Sequence, residues 1–123
     1  MEVILDTNFI ISCIRKRIDF IEELEKMGFK ILLPLSVMQE MKDLKLTKRV
    51  SHEEKSAIEI AFQMFSQKKI KKTRIGNDGV DKGLIKKGKE GVYIATLDRE
   101  IKRNVPNRIV ISNARNGLEI ERD

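Results

Sequence analysis

Apolar runs that end on an aspartate mark the chain near both ends. Val3-Ile4-Leu5 leads into Asp6-Thr7-Asn8, and Val92-Tyr93-Ile94-Ala95 leads through Thr96-Leu97 into Asp98. Short, unbroken runs of branched apolar residues fit strands buried on both faces, as in a parallel sheet. Lys30 to Leu33 and Arg108 to Ser112 are of the same kind, and Pro34 stops the former. Between them the apolar period changes to that of a helix. Ile18, Ile21, Leu24 and Met27 share one face, with Gly28 as the stop, and Arg15 to Arg17 is a point of interruption in the helix that follows Asp6.

Further helices are predicted over about Val37 to Leu44, opened by a Ser36/Gln39 capping box, over Glu53 to Ser66 with Ile58, Ala61, Phe62 and Phe65 inward, over Val80 to Lys87, and briefly from Arg99. Ile70 to Ile75 reads as a basic edge strand, whose lysines discourage further pairing. Asn116-Gly117 is a hairpin signal that returns the chain as a short last strand. Strands alternating with helices imply right-handed βαβ units and a three-layer α/β/α arrangement. Its centre is a mostly parallel five-stranded sheet with a short C-terminal hairpin, all in one domain over residues 1–123. In such sheets the carboxyl ends of the strands line the ligand crevice, which is where Asp6 and Asp98 fall.

Composition narrows the class. The lone Cys13 rules out a disulfide framework and reads as a buried apolar residue; no signal peptide or membrane-length apolar stretch is present, so a cytoplasmic protein without a membrane partner is expected. Lysine and arginine number 25 against 19 acids, a formal charge of +6. The excess gathers at Lys68, Lys69, Lys71, Lys72 and Arg74, at Lys86, Lys87 and Lys89, and in shorter clusters at Arg15 to Arg17 and Lys48-Arg49. Such clusters suit a nucleic-acid backbone, and equally a solvated, lysine-rich surface in a chain that is 36% charged. The sequence has no phosphate-binding glycine loop, no dinucleotide turn and no Cys/His zinc spacing, and its only histidine, His52, sits in a polar helix start.

Two more acids stand on inward-looking helix positions. At about 100° per residue, Glu40 borders the Val37, Met41, Leu44 face, and Asp81 falls between Leu84 and Ile85 inside the apolar stripe, whereas Asp78 lies towards the polar border. Taken singly, Asp6 and Asp98 read equally well as helix N-caps and Glu40 as a solvated residue. Taken together, carboxylates converging without cationic partners call for a hard divalent cation, Mg²⁺ or Mn²⁺, which could activate water against a phosphodiester.

The order Asp6-Thr7-Asn8, Glu40 after "LPLSV", Asp81, then Thr96-Leu97-Asp98 after "VYIA" resembles the PIN domain family, metal-dependent ribonucleases with a parallel α/β/α fold, over essentially the whole chain. "ATLDREIKR" and "RIVISNARNGLEIE" are most similar to small archaeal members related to the eukaryotic rRNA-processing endonucleases. The resemblance implies that Asp6, Glu40, Asp81 and Asp98 are the metal-binding and catalytic acids, that Asn8 and Thr96 are their polar supports, and that the first and fourth strands lie side by side. Where relatives often carry two adjacent aspartates this chain has Val80-Asp81, so Asp78 is a second claimant to the third acidic position. The implied activity is endonucleolytic hydrolysis of RNA, leaving 5′-phosphate and 3′-hydroxyl ends, with the basic clusters on the backbone. The implied role is rRNA processing or RNA decay; the alternatives are a toxin held by an antitoxin and a non-catalytic RNA-binding or ribosome-assembly module. A homodimer is compatible with the resemblance.

Overall fold

A computed structural model describes all 123 residues, Met1–Asp123. β1 (Glu2–Leu5) is followed by α1 (Thr7–Arg15) and α2 (Phe20–Lys26), then β2 (Lys30–Pro34), α3 (Leu35–Leu46), α4 (His52–Lys68) and β3 (Lys71–Thr73). The second half runs α5 (Val80–Lys89), β4 (Tyr93–Ala95), α6 (Arg99–Asn104), β5 (Asn107–Ser112) and β6 (Gly117–Arg122). No helix is long and apolar enough to cross a membrane.

The sheet order is β3-β2-β1-β4-β5-β6. β3, β2, β1, β4 and β5 are parallel, and β6 returns antiparallel to β5 through a turn at Asn116, whose φ of 48° is left-handed. The sequence expectation of a parallel five-stranded sheet with a terminal hairpin therefore holds. Alternation along the strands gives the sheet two buried faces. Val3, Leu5, Ile31, Leu33, Tyr93 and Ala95 belong to the larger apolar cluster with α1 to α4, while Ile4, Leu32 and Ile94 pack with Leu84, Ile101 and Val105 of the α5–α6 layer. Two helical layers thus enclose the sheet, and the strand order reverses between β1 and β4.

Local chemistry accounts for the breaks. The helical stretch after Asp6 divides where Arg17 turns left-handed (φ 60°), and Asp19 restarts it by accepting from the Glu22 N–H at 3.1 Å. Gly28, at φ 90°, ends α2. The Ser36/Gln39 capping box does not form. The chain passes from β2 into α3 through Pro34, which serves as N-cap with no side-chain hydrogen bond, so Ser36 is already inside the first turn. Gln39 instead donates to Asp43 Oδ1 at 2.9 Å.

Glycines let α5 sit unusually close to its neighbours. A Cβ on Gly83 would stand 2.4 Å from the Ile75 carbonyl oxygen, and one on Gly88 would stand 2.3 Å from Val105 Cγ1. The first contact fixes the start of α5 against the segment after β3. The second locks α5 to the end of α6.

Candidate acidic site

Asp6 stands where β1 gives way to α1, at the point of strand-order reversal, where open α/β sheets bind ligands. Its carboxylate is fixed from two directions. Oδ1 accepts from the Thr7 N–H at 2.9 Å, which makes Asp6 the N-cap of α1, and Oδ2 accepts from the Thr96 hydroxyl at 2.8 Å. Thr96 comes there because Leu5 is paired with Ala95, bringing the ends of β1 and β4 level. The same hydroxyl oxygen accepts from the Asp98 N–H at 3.1 Å, so Thr96 joins the two acidic strand ends in one network.

Asp6 is only 7% exposed and Thr96 is fully buried. Burial raises the Asp6 pKa above its ordinary value; the hydrogen bonds from Thr96 and Thr7 pull it back down, and the negative charges of Glu40 and Asp81 push it up again. Asp6, Glu40 and Asp81, three of the four expected acids, thus share one electrostatic neighbourhood. Asp81, rather than Asp78, is among the leading charges acting on Asp6. None of Asp6, Glu40, Asp81 and Asp98 is in an ion pair.

The other acids are less buried than Asp6, and Asp81 departs from its expected place. Asp98 is half-buried and its Oδ1 caps α6, accepting from the N–H groups of Glu100 at 2.8 Å and Ile101 at 3.2 Å. Glu40 lies on the exposed margin of α3, beside the buried Val37 and Met41. Asp81 is exposed in the first turn of α5 and not inside its apolar stripe. The buried face of that helix is Gly83, Leu84 and Gly88, centred away from Ile85; glycines carry no apolar side chain, so a search for an apolar stripe passes over the face they form. Asp78 is also exposed.

The two polar supports separate. Thr96 makes the expected contact, whereas Asn8 is exposed, makes no side-chain hydrogen bond to the acids, and lines a 760 Å³ groove between α1 and α4 together with Ser12, Arg15, His52, Ile60 and Leu97. That groove adjoins the acids at Asn8 and Leu97, but none of the four carboxylates lines it. Of the cations expected to hold a nucleic acid, Lys71 and Lys72 stand on the edge strand, and Arg74 follows it towards the carboxyl edge of the sheet. Lys68 and Lys69 precede β3 and so lie towards the opposite edge. Lys86 is exposed on α5, and Lys87 reaches Glu90 at 3.8 Å.

Two hydroxyls stand near the acids that were not among the expected site residues. Thr7 Oγ1 and Ser36 Oγ are buried without a hydrogen-bond partner. They sit in the first turns of α1 and α3, the helices that leave the adjacent strands β1 and β2 at the carboxyl edge beside Asp6. The available signal was their shared position, a hydroxyl residue within three residues of a strand end.

The donor set fits a hard cation. It consists of oxygen atoms alone, includes a buried carboxylate under the field of two others, lacks any cationic partner, and has two unpartnered hydroxyls nearby. No three His, Cys, Asp or Glu side chains are drawn tightly enough together to form a closed metal cage. An open arrangement leaves a hard divalent cation several of its waters, with only one or two carboxylates bound directly. Cysteine chemistry has no place here: burial pushes the Cys13 thiol up to about 12.

Comparison with known proteins agrees with this architecture. The solved structure of the PIN domain endonuclease Utp24 superposes with a TM-score of 0.73 at 20% identity, over 99% of this chain and 92% of that one, a likeness of fold. No curated protein sequence matches the chain. The family described as PIN-like domain matches residues 3–113, a span that includes Asp6, Glu40, Asp81 and Asp98. The chain therefore belongs to the PIN-like domain family.

Proposed function

We propose that the protein is a divalent-metal-dependent endoribonuclease whose acidic centre is organised around Asp6. The observation that carries this reading is a buried carboxylate, hydrogen-bonded by Thr96 and Thr7, that faces the charges of Glu40 and Asp81 with no cation to offset them. Asp6, Glu40, Asp81 and Asp98 would hold Mg²⁺ or Mn²⁺. When bound, the ion supplies charge neutralisation at the scissile phosphate and a lowered pKa for the attacking water.

The chain's own residues supply positioning. Thr96 orients Asp6 Oδ2, and the α1 cap orients Oδ1, so both oxygens are held before any ligand arrives. The exposed carboxylates of Glu40 and Asp81 face solvent, where a proton released from water can be accepted and passed on. Asp98 is held by the start of α6, next to the strand end that carries Thr96.

Membership of the PIN-like family and the fold shared with the endonuclease Utp24 support nuclease chemistry. The basic surface supports RNA as the substrate class, and rRNA processing is the role favoured by the resemblance. The test is cleavage of labelled single-stranded RNA by purified protein in EDTA, and again after adding excess Mn²⁺. Cutting that begins only with the metal supports the reading; cutting that EDTA leaves untouched overturns it.

A further inference from the structure

We propose that the substrate strand lies across the outer surface of the α5–α6 layer, on two cationic stripes that lead away from the acids; this rests on the ribonuclease reading above. Each of β3 and β4 runs to the carboxyl edge, and α5 and α6 then carry the chain back, so the two helices descend side by side from the acidic edge. Asp81 stands in the first turn of one, and Asp98 caps the other. Gly88 holds them together, since its missing side chain is what lets α5 approach Val105.

Charge follows the same axis. Lys82, Lys86 and Lys89 recur at i, i+4 and i+7 along the exposed side of α5, a stripe of roughly 10 Å at 1.5 Å per residue. Arg99, Lys102 and Arg103 form the second stripe on α6, where with Arg108, Glu121 and Asp123 they border a concavity of 450 Å³. Lys82, Lys86, Lys89, Arg99 and Lys102 have no acidic partner, and Arg103 reaches Glu100 only at 3.9 Å between two exposed side chains. Arg108 is different: it is engaged by Glu121, Asp123 and the Val105 carbonyl, which makes it part of the wall and not a free contact. Unpaired cations in two rows, beginning beside the carboxylates, match a polyphosphate backbone that must bring one phosphate to the acids. Lys68 and Lys69, by contrast, lie at the far end of the edge strand from those carboxylates.

The experiment is anisotropy of a fluorescent single-stranded RNA of mixed sequence, titrated in EDTA at several salt concentrations. Proteins compared are the wild type, Arg99→Gln/Lys102→Gln/Arg103→Gln, Lys82→Gln/Lys86→Gln/Lys89→Gln, and Lys68→Gln/Lys69→Gln, each checked for folding by its melting curve. Each triple variant is expected to bind about tenfold or more weakly and to lose about 2 units of the log–log salt slope, as three lost single-strand phosphate contacts require. If both triple variants bind like wild type while Lys68→Gln/Lys69→Gln carries the loss, the inference is overturned and the ribonuclease reading stands. A wild type without salt-dependent RNA binding overturns both.

Discussion

The Thr96 hydroxyl at the end of β4 donates at 2.8 Å to Oδ2 of Asp6 at the end of β1, across 90 residues of sequence. It favours the charged form of a buried carboxylate, against the desolvation that raises its pKa. Replacing Thr96 by valine keeps the shape and removes the donor, at an expected cost of roughly 2 kcal/mol for a hydrogen bond to a charged group. Asp6 then titrates at higher pH, so the acid limb of the cleavage profile moves up the pH scale, while Thr96→Ser restores it. A profile for Thr96→Val superimposable on wild type would separate Thr96 from the chemistry.

Stability should depend on pH and on metal through the same carboxylate. Its folded-state pKa is raised above the ordinary 3.8. Below that ordinary value both folded and unfolded chains hold the proton and nothing is lost; as pH rises through the folded-state pKa, the buried anion lowers stability. Metal-free Asp6→Asn, whose side chain still caps α1, is therefore expected to melt higher than wild type at pH 7, with the gap closing as pH falls towards 3.8. Adding Mn²⁺ should raise the melting temperature of wild type and leave the variant nearly unchanged, because binding to the folded state alone stabilises it. Equal metal-induced shifts in the two proteins would argue against Asp6 as a ligand.

Gly83 should control the acids without belonging to them. Alanine there meets the Ile75 carbonyl oxygen, a backbone atom that cannot swing aside, so α5 must shift and carry Asp81 with it. Overpacking of this kind costs about 1–3 kcal/mol. The expected outcome is a lower melting temperature together with slower metal-dependent cleavage. Gly88→Ala gives a useful contrast, because Val105→Ala in the same chain opens the space and should return much of the lost stability.

Much of this arrangement was legible in sequence. Val3 to Leu5 and Val92 to Ala95 announced buried parallel strands, and their endings on Asp6 and Thr96-Leu97-Asp98 announced two carboxylates at the carboxyl edge, because continuous apolar runs have one main use in an α/β fold. What stayed hidden has physical reasons. Ser36 and Gln39 have capping-box spacing, but the helix begins earlier because Pro34 passes straight into it. Periodicity sets Asp81 in an apolar stripe because Gly83 and Gly88, which form the packed face, contribute no side chain to the pattern. Glu100 and Ile101 separate Arg99 from Lys102 and Arg103 in sequence, and this group joins the α5 lysines in one layer only when α5 and α6 pack on the same face of the sheet. Asn8 follows Asp6 by two residues, and helical geometry turns it towards the α1–α4 groove.

Cys13 offers a check on the packing beneath the site. With its thiol pushed up to about 12 by burial, it should resist alkylation at pH 8 in the folded protein and react when the chain is unfolded in denaturant. Rapid labelling of the native protein would indicate that α1, which carries both Cys13 and the Asp6 cap, opens readily from the sheet.

Whether Asp6 anchors the divalent cation that RNA cleavage would require is tested most directly by single-turnover cleavage of one labelled RNA by wild type and Asp6→Asn in excess Mn²⁺. With both proteins shown to be folded, the variant is expected to be slower by about a hundredfold or more, because the loss removes electrostatic stabilisation of the transition state. Equal rates for the two proteins would contradict it.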